Sequence, residues 1–196
     1  MKRAGVKQAK ERLQMAHRHL AALEHVKNHR EFEDTWYQFL MAFNAVFSKL
    51  EQGAKGIGSS EPWYGMIKHR RKKDELFHYL HQARNSAEHG LERVSERKPG
   101  GIGIGKGGET VHGMSFDGNG NITIKAGPKG EIPTITRYPD QYVLTVAIDS
   151  LHKDKTDPPR CHQGKKLADN SPQAVASLGL LFAEECIQDA NTRIAD

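Results

Sequence analysis

Residues 31–51 of the 196-residue chain, EFEDTWYQFLMAFNAVFSKLE, carry its strongest helical pattern. Their apolar residues recur at steps of three and four, so they share one broad face of an α-helix. The residues on this face are Phe32, Trp36, Phe39, Leu40, Phe43, Val46, Phe47 and Leu50. We expect this aromatic-rich face to form the core of the protein, and we expect Gly53 to end the helix.

Further helices are expected on both sides of this stretch. Residues 6–26 contain neither Gly nor Pro and place apolar residues at near-helical steps. Ser60, Glu61 and Pro62 have the form of a helix start, which predicts a short helix over Trp63 and Ile67. Another helix is predicted from about Lys72 to His89. The last helix should begin at Ser171 and Pro172, with core residues at Val175, Leu178, Leu181, Phe182 and Ile187.

The second half of the chain predicts strands. The glycine-rich residues 98–108, KPGGIGIGKGG, are expected to be a linker, and residues 110–125 to be a hairpin that turns at DGNG. Residues 141–151 alternate Tyr142, Leu144, Val146 and Ile148 on one face, and residues 152–170 should be a loop. The sequence therefore predicts an α+β fold. Its parts are a helical bundle (1–97), the linker (98–108), a sheet insertion with a loop (109–170), and a C-terminal helix that packs back on the bundle (171–196).

Composition excludes several classes of protein. No stretch approaches the roughly 20 consecutive apolar residues of a membrane-spanning helix, and the first residues lack the apolar run of a secretory signal. The two cysteines, Cys161 and Cys186, are expected to be free thiols in a reducing cytoplasm. We expect no metal and no cofactor, because no metal-ligand spacing occurs and the glycine-rich stretch is not followed by a helix that could bind phosphate.

Charge is unevenly distributed along the chain. Residues 1–99 hold 19 Lys and Arg against 12 Asp and Glu, whereas residues 100–196 hold 10 against 12. The densest cationic run is Lys68, His69, Arg70, Arg71, Lys72 and Lys73. Such cations repel one another and are expected to be exposed to phosphates, so a polyanion partner is one interpretation. A solvated helix surface is the alternative.

The helix after this run has two distinct faces. Its buried residues should be Leu76, Leu80, Ala83 and Ala87. A second face carries His78, His81, Asn85 and His89, with Arg84 about 100° from Asn85. Imidazole transfers protons near neutral pH, and guanidinium matches a phosphate in two hydrogen bonds. Together they could cleave an RNA phosphodiester without metal, although an incidental polar face is the alternative.

The sequence RNSAEH, from Arg84 to His89, resembles the signature of HEPN domains, an arginine followed after four to six residues by a histidine. The resemblance covers about residues 4–95 and implies a HEPN-like antiparallel helical bundle. Members of the family are typically metal-independent endoribonucleases of defence and toxin–antitoxin systems. Others are non-catalytic modules that bind nucleotides or RNA, which is the alternative for this chain.

The resemblance also implies residue roles and partners. Arg84 would bind the phosphate and stabilise the transition state, His89 would transfer protons, and Asn85 would orient either one. We add His78 and His81 from the helical spacing, together with Lys68, Arg70, Arg71, Lys72 and Lys73, as RNA-binding residues. Two subunits would pair their motif helices across a shared cleft, and an antitoxin protein is a possible partner. A merely structural dimer is a third interpretation, and residues 100–170 are an addition to the small, nearly all-helical members of the family.

Overall fold

A computed structural model describes residues 1–89, 93–104, 114–116, 122–124, 135–148 and 154–194. These residues form an α+β fold of helices and small two-stranded sheets. The helices are α1 (Arg3–Leu23), α2 (His29–Ala54), α3 (Ser60–Lys73), α4 (Glu75–His89) and α5 (Pro172–Thr192). Within the ranges described, no helix has the length and apolar character needed to span a membrane. The chain divides into two units, residues 1–96 with 142–196 and residues 97–141.

The strands are short. They are β1 (Ser95–Lys98), β2 (Gly101–Ile104), β3 (Met114–Phe116), β4 (Ile122–Ile124), β5 (Ile135–Tyr138), β6 (Gln141–Leu144), β7 (Ala147–Ile148), β8 (Lys155–Thr156), β9 (Cys161–His162) and β10 (Lys165–Lys166). Antiparallel pairs form between β2 and β5, β3 and β4, β7 and β8, and β9 and β10.

Helix α2 is the centre of the first unit and packs against α1, α3, α4 and α5. The predicted core face is confirmed, because all eight of its apolar residues are fully buried. Successive rings along this face contact one another, and Phe77 of α4 and Phe182 of α5 extend the aromatic cluster. The helix begins with a side-chain cap in which Asn28 Oδ1 accepts a hydrogen bond from the Glu31 amide at 3.0 Å.

The prediction that Gly53 ends this helix is wrong. Helix α2 continues to Ala54, and Gly53 instead allows α1 to approach closely. A Cβ atom added to Gly5 of α1 would lie 2.6 Å from the Gly53 Cα, closer than real contacts allow. The left-handed residue that follows the helix is Gly56, with φ of +72°.

The predicted helix from Lys72 to His89 is wrong at its start. Lys72 and Lys73 complete α3, and the chain then turns at Asp74, whose backbone is extended. The Asp74 Oδ1 accepts hydrogen bonds from the amides of Leu76 at 3.0 Å and Phe77 at 3.3 Å, which caps α4. The basic run therefore belongs to the last turn of α3, where cations compensate the helix dipole.

Residues 152–170 were expected to be a loop, but they contain strands β8, β9 and β10. Gln163 and Gly164 make the turn between β9 and β10 with φ of 50° and 75°. This hairpin is tied to the start of α4. Glu75 Oε2 accepts from the amides of Arg160 and Cys161 at 3.0 Å each, and Asp74 Oδ2 accepts from the amide of Gln163 at 2.7 Å.

The expected alternation over residues 141–151 is interrupted. Strand β6 ends at Leu144 and strand β7 begins at Ala147, and both residues are buried. In one continuous strand, residues three positions apart would face opposite sides of the sheet. The interruption lies at Thr145, whose carbonyl accepts a hydrogen bond from the buried Tyr79 hydroxyl at 2.8 Å. Burial holds the pKa of Tyr79 well above its ordinary value, so this hydroxyl remains a donor.

The final helix begins as predicted. Ser171 Oγ accepts from the amide of Ala174 at 3.3 Å, and Pro172 occupies the first turn. Val175, Phe182 and Ile187 are buried, but the prediction for Leu181 is wrong, since it is 56% exposed and its neighbour Leu180 is buried instead. The cysteines are free, as predicted, with Cys186 buried on this helix.

The second unit contains the expected hairpin strands. Met114 pairs with Ile124 and Phe116 with Ile122, while the predicted turn at 117–120 lies outside the described residues. The 98–108 stretch is more than a linker, because Gly101–Ile104 form β2 and pair with β5. Glycine fits here since a Cβ on Gly103 would lie 2.9 Å from the Tyr138 ring.

Candidate functional site

A cleft of about 640 Å³ lies between α2, α3 and α4 in the first unit. Its volume is within the range of about 300–1,000 Å³ that is typical of ligand-binding sites. Six of the ten predicted site residues line it, which brings the basic run of α3 and the polar face of α4 together. These six are Lys68, Arg71, Lys72, His78, His81 and Arg84.

The centre of the cleft is organised by Asn44 of α2, a residue that the sequence analysis did not select. Its Oδ1 accepts a hydrogen bond from Arg71 Nη2 at 3.0 Å and lies 3.5 Å from His81 Nδ1. Its Nδ2 donates to the Leu40 carbonyl at 3.0 Å, which fixes the orientation of the amide. The signal that could have found it is a lone amide on an otherwise apolar stretch of α2.

Arg71 does not fit the expectation that the whole basic run is exposed. Its guanidinium carbon lies 3.8 Å from the centroid of the Phe47 ring, so the guanidinium group makes a cation–π contact with the aromatic core. Burial lowers the pKa of Arg71, but a guanidinium begins so high that it stays protonated at neutral pH. The neighbouring Tyr64 hydroxyl interacts with it, and burial raises the pKa of Tyr64 to about 12.

The network of hydrogen bonds continues along α4. Asn85 Oδ1 accepts from Arg84 Nη1 at 3.1 Å, so the Asn85 amide nitrogen faces His81 Nε2 at 3.4 Å. With the Asn85 amide nitrogen as the donor, His81 Nε2 accepts its hydrogen bond, and His81 Nδ1 is then the nitrogen that donates to Asn44 Oδ1. A continuous polar chain therefore joins Arg71, Asn44, His81, Asn85 and Arg84 in that order.

This network of polar side chains ends at Glu88, another residue that the sequence analysis did not select. Arg84 Nη2 lies 2.7 Å from Glu88 Oε2, and His89 Nε2 lies 3.5 Å from the same oxygen. Arg84 and His89 therefore meet on one carboxylate. The Arg84 side chain is 29% exposed and lines the cleft, whereas the His89 side chain is 59% exposed, and neither His89 nor Asn85 lines the cleft. The i, i+4 spacing of Arg84 and Glu88 is the signal that could have found this pair.

The remaining cations divide between two surfaces. Lys68 and Lys72 are exposed residues of the cleft, and Lys68 Nζ lies 3.3 Å from Glu51 Oε1. Arg70 and Lys73 instead line a shallower cavity beside the β9–β10 hairpin. Arg70 also lies over the Phe182 ring at 4.8 Å from its centroid. The basic run is thus not one uniform phosphate-binding surface.

Three residues of the cleft have a buried polar atom that finds no hydrogen-bond partner among the residues that the structure describes. These atoms are Arg71 Nε, Gln82 Oε1 and Arg84 Nε. Buried polar atoms of folded proteins nearly always have a hydrogen-bond partner in the protein or in ordered water, so each of these three atoms has hydrogen-bonding capacity that the described protein groups do not use.

Two further findings concern possible metal ligands and similarity to known proteins. In the part of the chain that the structure describes, no three His, Cys, Asp or Glu residues lie close enough to hold a metal ion. Comparison of the chain with protein-family models, with curated proteins and with solved structures gives no match.

Proposed function

We propose that the protein is a metal-independent endoribonuclease of the HEPN type that acts at the α4 motif. The observation that carries this proposal is the arrangement of the RNSAEH residues. Arg84, Asn85 and His89 belong to one connected polar group through Glu88, and Arg84 opens onto a cleft that also holds Lys68, Arg71 and Lys72. Phosphodiester cleavage requires cationic groups that stabilise the charge of the transition state and a side chain that transfers a proton.

The proposed reaction is transesterification within RNA. The 2′-oxygen attacks the adjacent phosphorus and loses its proton, while the bond from phosphorus to the 5′-oxygen breaks and that oxygen gains a proton. The products are a 2′,3′-cyclic phosphate and a 5′-hydroxyl. Arg84 stabilises the charge on the phosphoryl oxygens, His89 transfers a proton, and Asn85 orients the Arg84 side chain by accepting its Nη1 hydrogen.

We propose further that the active form is a homodimer whose two α4 helices meet. One chain presents Arg84 and His89 on a single carboxylate, so a symmetry-related copy doubles the cationic groups around one phosphate. His89 is the most exposed member of the group, which leaves it available to a partner. The resemblance also makes a neutralising antitoxin protein part of the proposal.

The test is to incubate the purified protein with RNA and excess chelator and to determine the fragment ends. We expect fragments that end in a 2′,3′-cyclic phosphate, and we expect Arg84→Ala to slow cleavage by on the order of 100-fold or more, the effect of removing one transition-state donor. The matched control is Arg93→Ala, since Arg93 is 70% exposed and pairs with Glu33 outside the cleft. Equal cleavage by Arg84→Ala and the unaltered protein would contradict the proposal.

One observation favours a second candidate, a module that binds RNA without cleaving it. The Arg84 guanidinium already has a carboxylate partner at 2.7 Å, which reduces its attraction for the charge that develops in a transition state. Such a module leaves RNA intact under the same conditions but binds it with an affinity that falls as salt rises. The fragment analysis and a binding titration together separate the two functions.

A further inference from the structure

Helix α1 carries a group of exposed cations that the sequence analysis did not select. The helix contains five Lys and Arg residues and one acidic residue, Glu11. At 100° per residue, four of the five cations lie within a sector of about 80° on one side of the helix. We call these four residues the α1 surface; they are Arg3, Lys7, Lys10 and Arg18, and all of them are exposed.

The α1 surface is only partly neutralised by carboxylates. None of the ion pairs formed by the described residues includes one of its four cations. On the adjacent helix α5, Glu184 Oε1 lies 2.8 Å from the His17 imidazole instead. Glu11 lies at the edge of the α1 surface and offsets at most one of its charges. An exposed surface with this excess of positive charge attracts a polyanion.

The placement of these cations opposes the stability of the helix. A helix N-terminus is electropositive, so acidic residues stabilise the first turn and cations destabilise it. The first turn of α1 has no acidic residue and contains Arg3, and Lys2 occupies the N-cap position without a side-chain cap hydrogen bond. Residues that break a local rule of stability are expected where function requires them. The charge at this end of α1 therefore has no explanation in the stability of the fold.

The α1 surface begins beside the cleft. The Lys2 amide donates to the Gly53 carbonyl at 2.9 Å, so the start of α1 is fixed to the last turn of α2. Lys49 and Gln52, in the same part of α2, line the cleft. From Arg3 to Arg18 the helix rises by about 22 Å, which is the advance of roughly six nucleotides in one strand of a duplex. The cations thus extend away from the rim of the cleft over the length of a short piece of RNA.

We propose that the α1 surface binds the phosphates of an RNA strand whose adjoining segment occupies the cleft. Cations that contact phosphates fix the position of a strand without distinguishing its bases, so this surface adds affinity and length dependence but no base preference. A nucleic acid is favoured over an acidic protein because the surface adjoins the cleft in which Arg84 is proposed to bind a phosphate. The inference therefore rests on the proposed function.

The first test removes three of the charges by Arg3→Gln, Lys7→Gln and Lys10→Gln in one variant, since Gln keeps a good helix propensity. Binding is measured with fluorescently labelled 2′-O-methyl oligonucleotides of about 5 and about 20 nucleotides, which cannot be cleaved by attack of the 2′-oxygen. For the long oligonucleotide we expect binding weakened by about 10-fold or more at low salt. The salt slope should fall by about 2, because each single-strand phosphate contact contributes about 0.7. For the short oligonucleotide, which the cleft alone accommodates, we expect a change within about 2-fold.

The matched control makes the same change in net charge on exposed strand residues, by Lys98→Gln, Lys165→Gln and Lys166→Gln in one variant. Thermal melts establish that both variants are folded. Equal binding of the long oligonucleotide by the α1 variant and the control would overturn the inference. An equal loss for both oligonucleotide lengths would overturn the extension of the strand beyond the cleft.

A second variant separates a binding role from a merely solvated helix surface. Arg3→Glu should raise the melting temperature by about 1–3 °C, because it places an acidic residue in the first turn of α1. The same change should weaken binding of the long oligonucleotide by about 5-fold at 0.1 M salt, the contribution of one phosphate contact. A higher melting temperature with unchanged RNA binding would overturn the inference.

Two further arms identify the ligand and separate this inference from the proposed cleavage. A polyglutamate peptide of equal charge that binds as tightly as the long oligonucleotide, and that loses its binding in the triple α1 variant, would overturn the assignment to RNA in favour of an acidic protein. RNA cleavage by a protein whose RNA binding does not depend on α1 would overturn the inference and leave the endoribonuclease proposal standing. Conversely, α1-dependent binding of long RNA without cleavage supports the inference and contradicts the cleavage proposal.

Discussion

Replacing Glu88 by Gln tests the idea that this carboxylate competes with RNA for Arg84. The substitution keeps the shape of the side chain and removes the charge that lies 2.7 Å from Arg84 Nη2 and 3.5 Å from His89 Nε2. If Arg84 binds a phosphate, the phosphate must replace Glu88 or share the guanidinium with it. Removing the carboxylate should therefore tighten RNA binding and slightly destabilise the free protein.

The magnitude follows from the exposure of the pair. Exposed i, i+4 pairs on helices contribute about 0.3–0.5 kcal/mol, and screening by water limits even good surface geometry. The Arg84 and Glu88 side chains are 29% and 28% exposed, so we expect a contribution of about 1 kcal/mol. That value corresponds to roughly 5-fold tighter RNA binding. The same change should lower the melting temperature by about 2–4 °C for a chain of this size.

The assay is a fluorescence-anisotropy titration of a short uncleavable RNA at low and high salt. Glu33→Gln is the matched control, because it makes the same change in net charge and removes a partner of Arg93 away from the cleft. We expect Glu88→Gln to exceed this control by about 5-fold at low salt, with the difference shrinking as salt screens the charges. Equal affinities of the two variants would refute the competition between Glu88 and RNA.

Further predictions concern stability and reactivity. Gly5→Ala should destabilise the protein by about 1–3 kcal/mol, because the added Cβ would overlap helix α2. Gly65→Ala places its Cβ in open space and should be neutral or stabilise the protein by up to about 1 kcal/mol. Chemical denaturation measures the free energy of unfolding of both variants. Cys161 should react with a thiol reagent in the native state while Cys186 reacts only on unfolding, since burial raises the pKa of Cys186 to about 12. That raised pKa also predicts a loss of stability between about pH 9 and pH 12, where only the unfolded thiol ionises, and Cys186→Ala should reduce this loss. Asp74→Ala should cost about 2 kcal/mol of stability by removing the α4 cap, and Asp74→Asn should recover part of it; equal melts of these two variants would contradict the capping role.

The helical half of the fold was predictable because its signals are local. The spacing of apolar residues in 31–51 identifies the buried face of α2, and Ser171 with Pro172 identifies the start of α5. Gly53 shows the limit of local signals. Glycine near a helix end resembles a stop, but its actual role is set by Gly5, which lies 48 positions away in sequence.

The candidate site was only partly predictable for the same reason. Arg84, Asn85 and His89 share one helix, so their spacing identifies them as a group. Asn44 and Arg71 acquire their importance from packing between helices. Burial of Arg71 over an aromatic ring, and the position of Asn44 opposite it, depend on how α3 crosses α2. No periodicity within one helix contains that information.

The strands were the least predictable elements. Those of two residues, such as β9 and β10, are too short to show alternation, and their position depends on hydrogen bonds to Asp74 and Glu75. Turn residues were the available signal, since Gln163 and Gly164 both adopt positive φ.

A single-turnover cleavage measurement in excess chelator determines whether the α4 motif cleaves RNA. One labelled oligoribonucleotide is incubated with the unaltered protein, with His89→Ala and with His25→Ala, a control that replaces an exposed histidine just after α1. We expect cleavage by the unaltered protein and by the control, and a rate reduced by about 100-fold or more in His89→Ala, which is the usual effect of removing a general acid or base. Cleavage at an undiminished rate by a folded His89→Ala variant, or no cleavage by the unaltered protein, would contradict it.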